Sequence, residues 1–141
     1  MKRKASAVWN GDLKGGKGSI STESGVLKET QYSFSTRFEN GVGTNPEELI
    51  GASHAGCFSM ALSAELGKVG LTAESIQTTA TVNLERLDVG WTVTQIHLSV
   101  LATIPGATTA AFEAAAGAAK TGCPISRLLN ATITMDARLQ S

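Results

Sequence analysis

Apolar and polar residues alternate over two long stretches in the second half of the chain. From Ser75 to Glu85 the apolar positions recur at every second residue, which predicts a half-buried strand. Residues 91–104 predict a long return strand, and its apolar phase slips between Val93 and Ile96, which indicates a bulge. Shorter strands are predicted at residues 4–9, 18–23, 32–38 and 131–139. The pattern therefore predicts a sheet of antiparallel strands.

A different pattern fills Gly43–Gly70. Asn45, followed by proline, can cap the start of a helix, and Gly70 can adopt the left-handed conformation that ends one. Small residues occupy every face, and almost no charge lies between Glu48 and Glu65. The stretch therefore predicts one long helix that is buried nearly all round, against the chain's own sheet and a partner subunit.

The order of the predicted elements gives the fold class. A second, alanine-rich helix is predicted at residues 110–120, and a short helical turn at 124–130. Three strands, a helix, two strands, a helix and a strand predict an α+β fold with helices on one face of an antiparallel sheet. No linker or repeat interrupts the 141 residues, so residues 1–141 are expected to form a single domain.

Composition and charge argue against several classes of function. Twelve basic and twelve acidic residues balance without a run of either sign, so we expect neither nucleic-acid nor membrane binding. The basic N-terminus has no apolar run behind it, and we expect a cytoplasmic protein with reduced thiols. Only 5% of the residues are aromatic, so a monomer's core would pack weakly, which again favours a partner.

One stretch resembles a phosphate-binding loop without its context. Asn10 and Gly11 favour a tight hairpin turn, and residues 11–17 have the glycine–lysine spacing of such a loop. Gly18 then stands where serine or threonine is needed, and a strand follows instead of a helix, so we interpret the stretch as a hairpin loop. Two cysteines and two histidines offer no metal-ligand spacing, and no nucleotide or flavin fingerprint is present. We expect neither a metal nor a cofactor.

The two cysteines stand in different settings. Cys57 lies in the middle of the long helix, where position alone favours a small buried hydrophobe. Cys123 precedes Pro124 at the start of a helical turn, where the helix dipole can lower the pKa of a thiol.

Two further side chains, His54 and Arg37, could take part in thiol chemistry, and the second histidine could not. His54 shares a helix face with Cys57, although a packed histidine is favoured over a Cys–His ion pair. His97 is expected to face solvent. Arg37, on the polar face of the strand predicted at 32–38, could lower the pKa of a thiol, but its position favours an exposed strand arginine.

Seven segments spread over the chain carry a specific set of motifs. They are Asn10–Asp12, Ser21–Gly25, Thr36–Phe38, Gly43–Ala52, His54–Ala55, Cys57–Leu62 and Gly122–Pro124. Together they resemble the OsmC/Ohr family, and within it the OsmC branch, most specifically through NPEEL…HAxCFSMAL and a distant xCP. The resemblance implies an OsmC-like fold and an intertwined homodimer built around paired central helices.

The same resemblance implies a function and its residues. It implies a thiol peroxidase that reduces organic hydroperoxides in oxidative or osmotic stress, with an external lipoyl-type dithiol as reductant. By motif, Cys57 would be the peroxidatic cysteine and Cys123 the resolving cysteine, while Arg37 and Glu47 would complete the site. Apolar side chains would favour alkyl hydroperoxides as substrates, and candidates for this lining are Phe34, Phe38, Phe58 and Met60.

Helix geometry adds one consequence. Glu47 and Cys57 are ten residues apart, which is about 15 Å along a straight helix. If Glu47 orients an arginine at Cys57, it comes from the other subunit or the helix breaks between them. We therefore predict an active site at the dimer interface.

Two other classes of function remain open. One is a non-catalytic dimer that holds a small apolar or acyl ligand at the subunit interface, with incidental cysteines. The other is an acyl-transfer enzyme that uses Cys57 with His54.

Overall fold

The computed structural model describes residues 1–140, which form six strands and four helices. The elements are β1 (Ala5–Asn10), β2 (Lys17–Thr22), β3 (Thr30–Tyr32), α1 (Phe34–Phe38), α2 (Pro46–Lys68), β4 (Ser75–Leu87), β5 (Gly90–Thr103), α3 (Thr109–Gly122), α4 (Pro124–Leu128) and β6 (Thr132–Gln140). The predicted α+β class is confirmed. The described chain divides into two compact units, of which the first is Met1–Leu49 and the second begins at Ile50.

The first unit contains an antiparallel sheet in the order β1-β2-β3. Asn10 pairs with Lys17, so six residues connect β1 to β2 and the predicted tight turn is wrong. The connection is closed by Asp12, whose carboxylate accepts a bond from the Gly15 amide at 2.8 Å. At Gly18 a Cβ would lie 2.3 Å from the Tyr32 ring, which explains why this position in β2 has no side chain.

The strand predicted at residues 32–38 is wrong beyond Tyr32. Ser33 and Thr36 form a capping box, in which the Ser33 amide donates to Thr36 Oγ1 at 2.8 Å and the Thr36 amide donates to Ser33 Oγ at 3.3 Å. These local bonds start helix α1 despite the alternating pattern. Arg37 therefore lies in the last turn of a helix and not on a strand.

The second unit contains a sheet in the order β4-β5-β6. The predicted bulge is confirmed, because Asn83 pairs with Gln95 while Leu84 pairs with Val93. Strands β4 and β5 are antiparallel, but β5 and β6 are parallel, so the prediction of a purely antiparallel sheet is wrong at this edge. The reason is that α3 and α4 form a crossover, which returns the chain to the start of β5 before β6 begins.

Helix α2 packs on this sheet with one of its faces. Its start and end match the sequence signals, since Asn45 Oδ1 accepts the Glu48 amide bond at 2.7 Å and Gly70 has a φ of 75°. A buried row on α2 joins side chains of β5 and α3 in the core, and it consists of Phe58, Leu62 and Leu66. The opposite face is exposed in the single chain, so burial all round is not observed here.

No helix within residues 1–140 combines the length and apolar character needed to cross a membrane.

Candidate active site

The two cysteines, 66 positions apart in sequence, lie side by side in the second unit. Their Sγ atoms are 2.7 Å apart, and both thiols are free. Cys57 is held in the middle of α2, while Cys123 lies between α3 and α4, where its amide donates to the Ala119 carbonyl. Cys123 is completely buried and Cys57 is half-buried, so an incoming reagent reaches Cys57 first.

Two thiols this close share one proton over part of their titration. Burial raises the pKa of Cys57, and the contact with Cys123 raises it further. Burial also opposes ionisation of Cys123, but the Cys57 thiol and the groups of Ser126 and Ile125 outweigh it, and the pKa of Cys123 is lowered. The sulfur pair and the groups around it therefore favour a thiolate on Cys123, and Cys57 needs a further positive group to ionise.

His54 does not form an ion pair with Cys57. Its ring is fully buried, and Nε2 lies 2.8 Å from Ser126 Oγ on α4. Its Nδ1 atom has no hydrogen-bond partner among the described residues. The structure thus agrees with the packed histidine that position favoured, and gives the acyl-transfer hypothesis no Cys–His pair.

Burial of His54 has a consequence for stability. Desolvation lowers the pKa of His54 below its ordinary value of 6.5, so the unfolded chain binds a proton more readily than the folded one. We expect the free energy of unfolding to be independent of this group above about pH 6.5 and to fall as the pH drops below it. Denaturant titrations between pH 8 and pH 5 check this. His54→Gln should flatten that part of the pH dependence, and an unchanged slope would contradict it.

Arg37 and Glu47 form the second pair of predicted site residues, within the first unit. Arg37 Nη2 lies 2.7 Å and Nε 3.0 Å from Glu47 Oε1, so two nitrogens of the guanidinium hold one carboxylate. The side chain of Arg37 is 39% exposed and that of Glu47 12%. Asn45, which caps α2, also donates to the Thr36 carbonyl at 3.1 Å and so ties α1 to the start of α2. This arrangement presents an oriented cation beside solvent.

An apolar cavity of about 260 Å³ lies beside Arg37 in the same unit. Its lining consists of Trp9, Leu13, Tyr32, Ser33, Phe34, Arg37 and Phe38. Of the four candidates for an apolar lining, Phe34 and Phe38 are found here. Phe58 is instead fully buried in the core of the second unit, and Met60 is 77% exposed on α2.

His97 lies on the strand β5, and it is half-buried where exposure was expected. Its ring nitrogens lie 2.6 Å from Thr134 Oγ1 and 3.1 Å from Asp136 Oδ2 on β6. Within residues 1–140, no group of three or more His, Cys, Asp or Glu side chains could hold a metal ion.

Sequence reasoning missed Ser126 and the contribution of Trp9 and Leu13 to the cavity. A signal for Ser126 was present: it follows Cys123 by three residues, as Cys57 follows His54, so each pair shares one helical turn. No local pattern marks Trp9 and Leu13, because their place depends on the long connection between β1 and β2.

Comparisons with known proteins place this chain among relatives of one family. A family model described as OsmC-like protein matches residues 38–138. The chain is 52% identical over 139 residues to Peroxiredoxin OsmC of Escherichia coli, covering 99% of this chain and 97% of that protein. Two solved structures share the fold: an OsmC-like protein from Mycoplasma pneumoniae (TM-score 0.79, 14% identity, 100% and 99% coverage) and the organic hydroperoxide resistance protein OhrB of Bacillus subtilis (TM-score 0.68, 20% identity, 97% and 98% coverage).

Proposed function

The chain belongs to the OsmC-like family, and we propose that it is a thiol-dependent peroxidase that reduces organic hydroperoxides to alcohols. The observation that carries the proposal is the pair of free sulfurs, 2.7 Å apart, of which one is reachable and the other fully buried. A peroxidase with two cysteines needs this asymmetry, because one sulfur must contact the substrate and the other must stay shielded until the first has been oxidised. The name of the Escherichia coli relative supports the same activity.

The reaction proceeds in three balanced steps. The Cys57 thiolate attacks the terminal oxygen of the hydroperoxide, the O–O bond breaks, and the alcohol leaves with a proton while Cys57 becomes a sulfenic acid. The Cys123 thiolate attacks the Cys57 sulfur, hydroxide leaves as water, and a disulfide forms. An external dithiol then reduces this disulfide by two exchange steps. For the reductant we propose a lipoyl-type dithiol, as the family resemblance implies.

Arg37 is the proposed source of the positive charge that Cys57 lacks. A guanidinium near a thiol lowers its pKa and can hydrogen-bond a peroxide oxygen. The two-nitrogen contact with Glu47 fixes the plane of that guanidinium, which a single flexible contact would not do. We therefore propose that Arg37 binds the peroxide and stabilises the Cys57 thiolate, and that Glu47 orients Arg37.

The proposed assembly is a homodimer with the site at its interface. Glu47 and Cys57 are ten residues apart on α2, which runs unbroken from Pro46 to Lys68, so about 15 Å separates them along the axis. Two antiparallel copies of the helix would bring the start of one near the middle of the other. The exposed face of α2 suits such packing, because Ser53, Gly56, Ser63 and Gly67 leave room for another backbone.

The cavity beside Arg37 favours an apolar substituent on the substrate. Aromatic rings form most of its wall, and its polar groups are few. An alkyl or aryl group buried there contributes binding free energy, whereas hydrogen peroxide has only a hydrogen atom at that position and contributes none. We propose organic hydroperoxides as the substrates, and protection against oxidative or osmotic stress as the role. Turnover requires a thiol reductant, so we place the activity in the reducing cytoplasm.

The same cavity supports one alternative, a dimer that binds a small apolar or acyl ligand without catalysis. That alternative gives the sulfur pair no role. It predicts ligand retention without any oxidation of the cysteines.

Titration with one equivalent of an organic hydroperoxide separates the two functions. We expect the reduced protein to lose two hydrogens within seconds, and a non-reduced peptide map to contain a linked Cys57–Cys123 peptide. Protein alkylated beforehand at its thiols is the control and should stay unchanged. Slow oxidation at a single thiol, or none, would contradict the peroxidase and favour the ligand-binding dimer.

A further inference from the structure

Two side-chain contacts join α2 to the start of α4, one helical turn apart. In the first, the sulfurs of Cys57 and Cys123 lie 2.7 Å apart. In the second, His54 Nε2 lies 2.8 Å from Ser126 Oγ. His54 precedes Cys57 by three residues and Ser126 follows Cys123 by three, so the contacts lie beside each other on the two elements.

The His54–Ser126 contact is isolated from water. His54 is fully buried, Ser126 is nearly so, and Nδ1 of His54 has no partner within residues 1–140. An unpaired buried N–H is rarer than an unpaired buried acceptor, so we assign the proton to Nε2 and the bare lone pair to Nδ1. Nε2–H then donates to Ser126 Oγ, and the hydroxyl proton of Ser126 is left free to donate elsewhere.

Cys123 is the group on the same turn that can use that proton. After the opposing effect of burial and the contact with Cys57, the hydroxyl and amide of Ser126 are among the groups that lower the pKa of Cys123. The His54–Ser126 contact therefore lies three residues from the sulfur that attacks in the second chemical step.

Helix α4 needs such support. It spans only Pro124–Leu128, and a helix of five residues has almost no stability of its own. Cys123 is the residue that directly precedes its first turn, so any freedom of α4 becomes freedom of the attacking sulfur. A buried hydrogen bond one turn away removes that freedom.

We propose that His54 and Ser126 are positioning residues for the resolving step, whose hydrogen bond fixes Cys123 against Cys57. The inference rests on the two-cysteine mechanism proposed above. In the step concerned, the Cys123 thiolate forms a bond to the Cys57 sulfur and the S–O bond of the sulfenic acid breaks. Hydroxide leaves and takes up a proton as water.

The test separates attack on Cys57 from attack by Cys123, and does not depend on peroxide. Dithiodipyridine reacts with the reachable Cys57 thiolate to give a mixed disulfide and one coloured thiopyridone. Cys123 then attacks the Cys57 sulfur and releases a second thiopyridone. In Ser126→Ala we expect an unchanged first phase and a second phase slower by about tenfold, the order expected for one buried hydrogen bond.

Three variants serve as controls for a merely structural effect. Ser59 lies on the same helix and bonds Thr78 Oγ1 at 2.8 Å, so Ser59→Ala removes a similar contact away from α4 and should leave both phases unchanged. His54→Gln keeps a donor in the side chain and should restore most of the second-phase rate, which His54→Leu should not. With a hydroperoxide, Ser126→Ala should accumulate sulfenic acid that dimedone traps.

The outcomes distinguish this inference from the proposed function. A second phase at the unaltered rate in Ser126→Ala, or equal slowing in Ser59→Ala, would overturn the positioning role. If the unaltered protein forms its disulfide with dithiodipyridine but does not react with organic hydroperoxides, the peroxidase proposal fails. The role of Ser126 in aligning Cys123 would still be supported by a slowed second phase.

Discussion

Cys57→Ser should abolish hydroperoxide turnover, with kcat/KM reduced by more than about 10³-fold. A serine hydroxyl stays protonated at neutral pH and cannot carry the sulfenic acid through which the oxygen is transferred. The buried Cys123 cannot take over, because its side chain is completely buried and does not meet the substrate. The measurement is the steady consumption of an organic hydroperoxide in the presence of excess dithiol.

The matched control is the same substitution at the other sulfur. Cys123→Ser should consume one equivalent of hydroperoxide at a nearly unchanged first rate and then stall as a sulfenic acid or a mixed disulfide. A normal unfolding transition in both variants excludes misfolding as the cause. Steady turnover by Cys57→Ser would refute the assignment of the peroxidatic cysteine.

The parts of the fold that the sequence predicted well depend on local hydrogen bonds. The long helix begins at the residue after Asn45 and its glycine stop lies at Gly70, because a cap and a left-handed turn are made by neighbours in sequence. The bulge before Ile96 is equally local. The same reasoning failed at residues 33–38, where the alternating pattern indicated a strand. There the Ser33–Thr36 capping box, which is also a local interaction, stabilises a helix instead.

The parts that could not be predicted depend on distant contacts. The parallel pairing of β6 with β5 follows from how far the α3–α4 crossover carries the chain, which no periodicity encodes. The contact between Cys57 and Cys123 joins positions 66 residues apart, so spacing left Cys57 in the core and only the family resemblance gave it chemistry. Arg37 was likewise selected by resemblance and placed on the wrong element by pattern.

Arg37→Gln should lower kcat/KM for organic hydroperoxides by about 10²-fold, the order expected when one oriented charge at a reacting centre is removed. Burial and the contact with Cys123 raise the pKa of Cys57 by more than the backbone of Ile125 lowers it, and Arg37→Gln removes the positive charge that we propose opposes this rise. The pH–rate profile of the first step should therefore shift to higher pH in Arg37→Gln. Stopped-flow rates of single oxidation between pH 5 and pH 10 measure both effects.

The neighbouring residue tests whether orientation matters as well as charge. Glu47→Gln leaves the charge of Arg37 but weakens the hold on its two nitrogens, so we expect a loss of about tenfold with a smaller pH shift. Arg37 is 39% exposed, so the ion pair adds at most about 1 kcal/mol to stability, too little for unfolding to explain either loss. Glu65→Gln, which breaks the Glu65–Lys68 pair elsewhere on α2, is the matched control and should leave the rate unchanged. Equal losses in Glu47→Gln and Glu65→Gln would show that general electrostatics, and not the orientation of Arg37, controls the reaction.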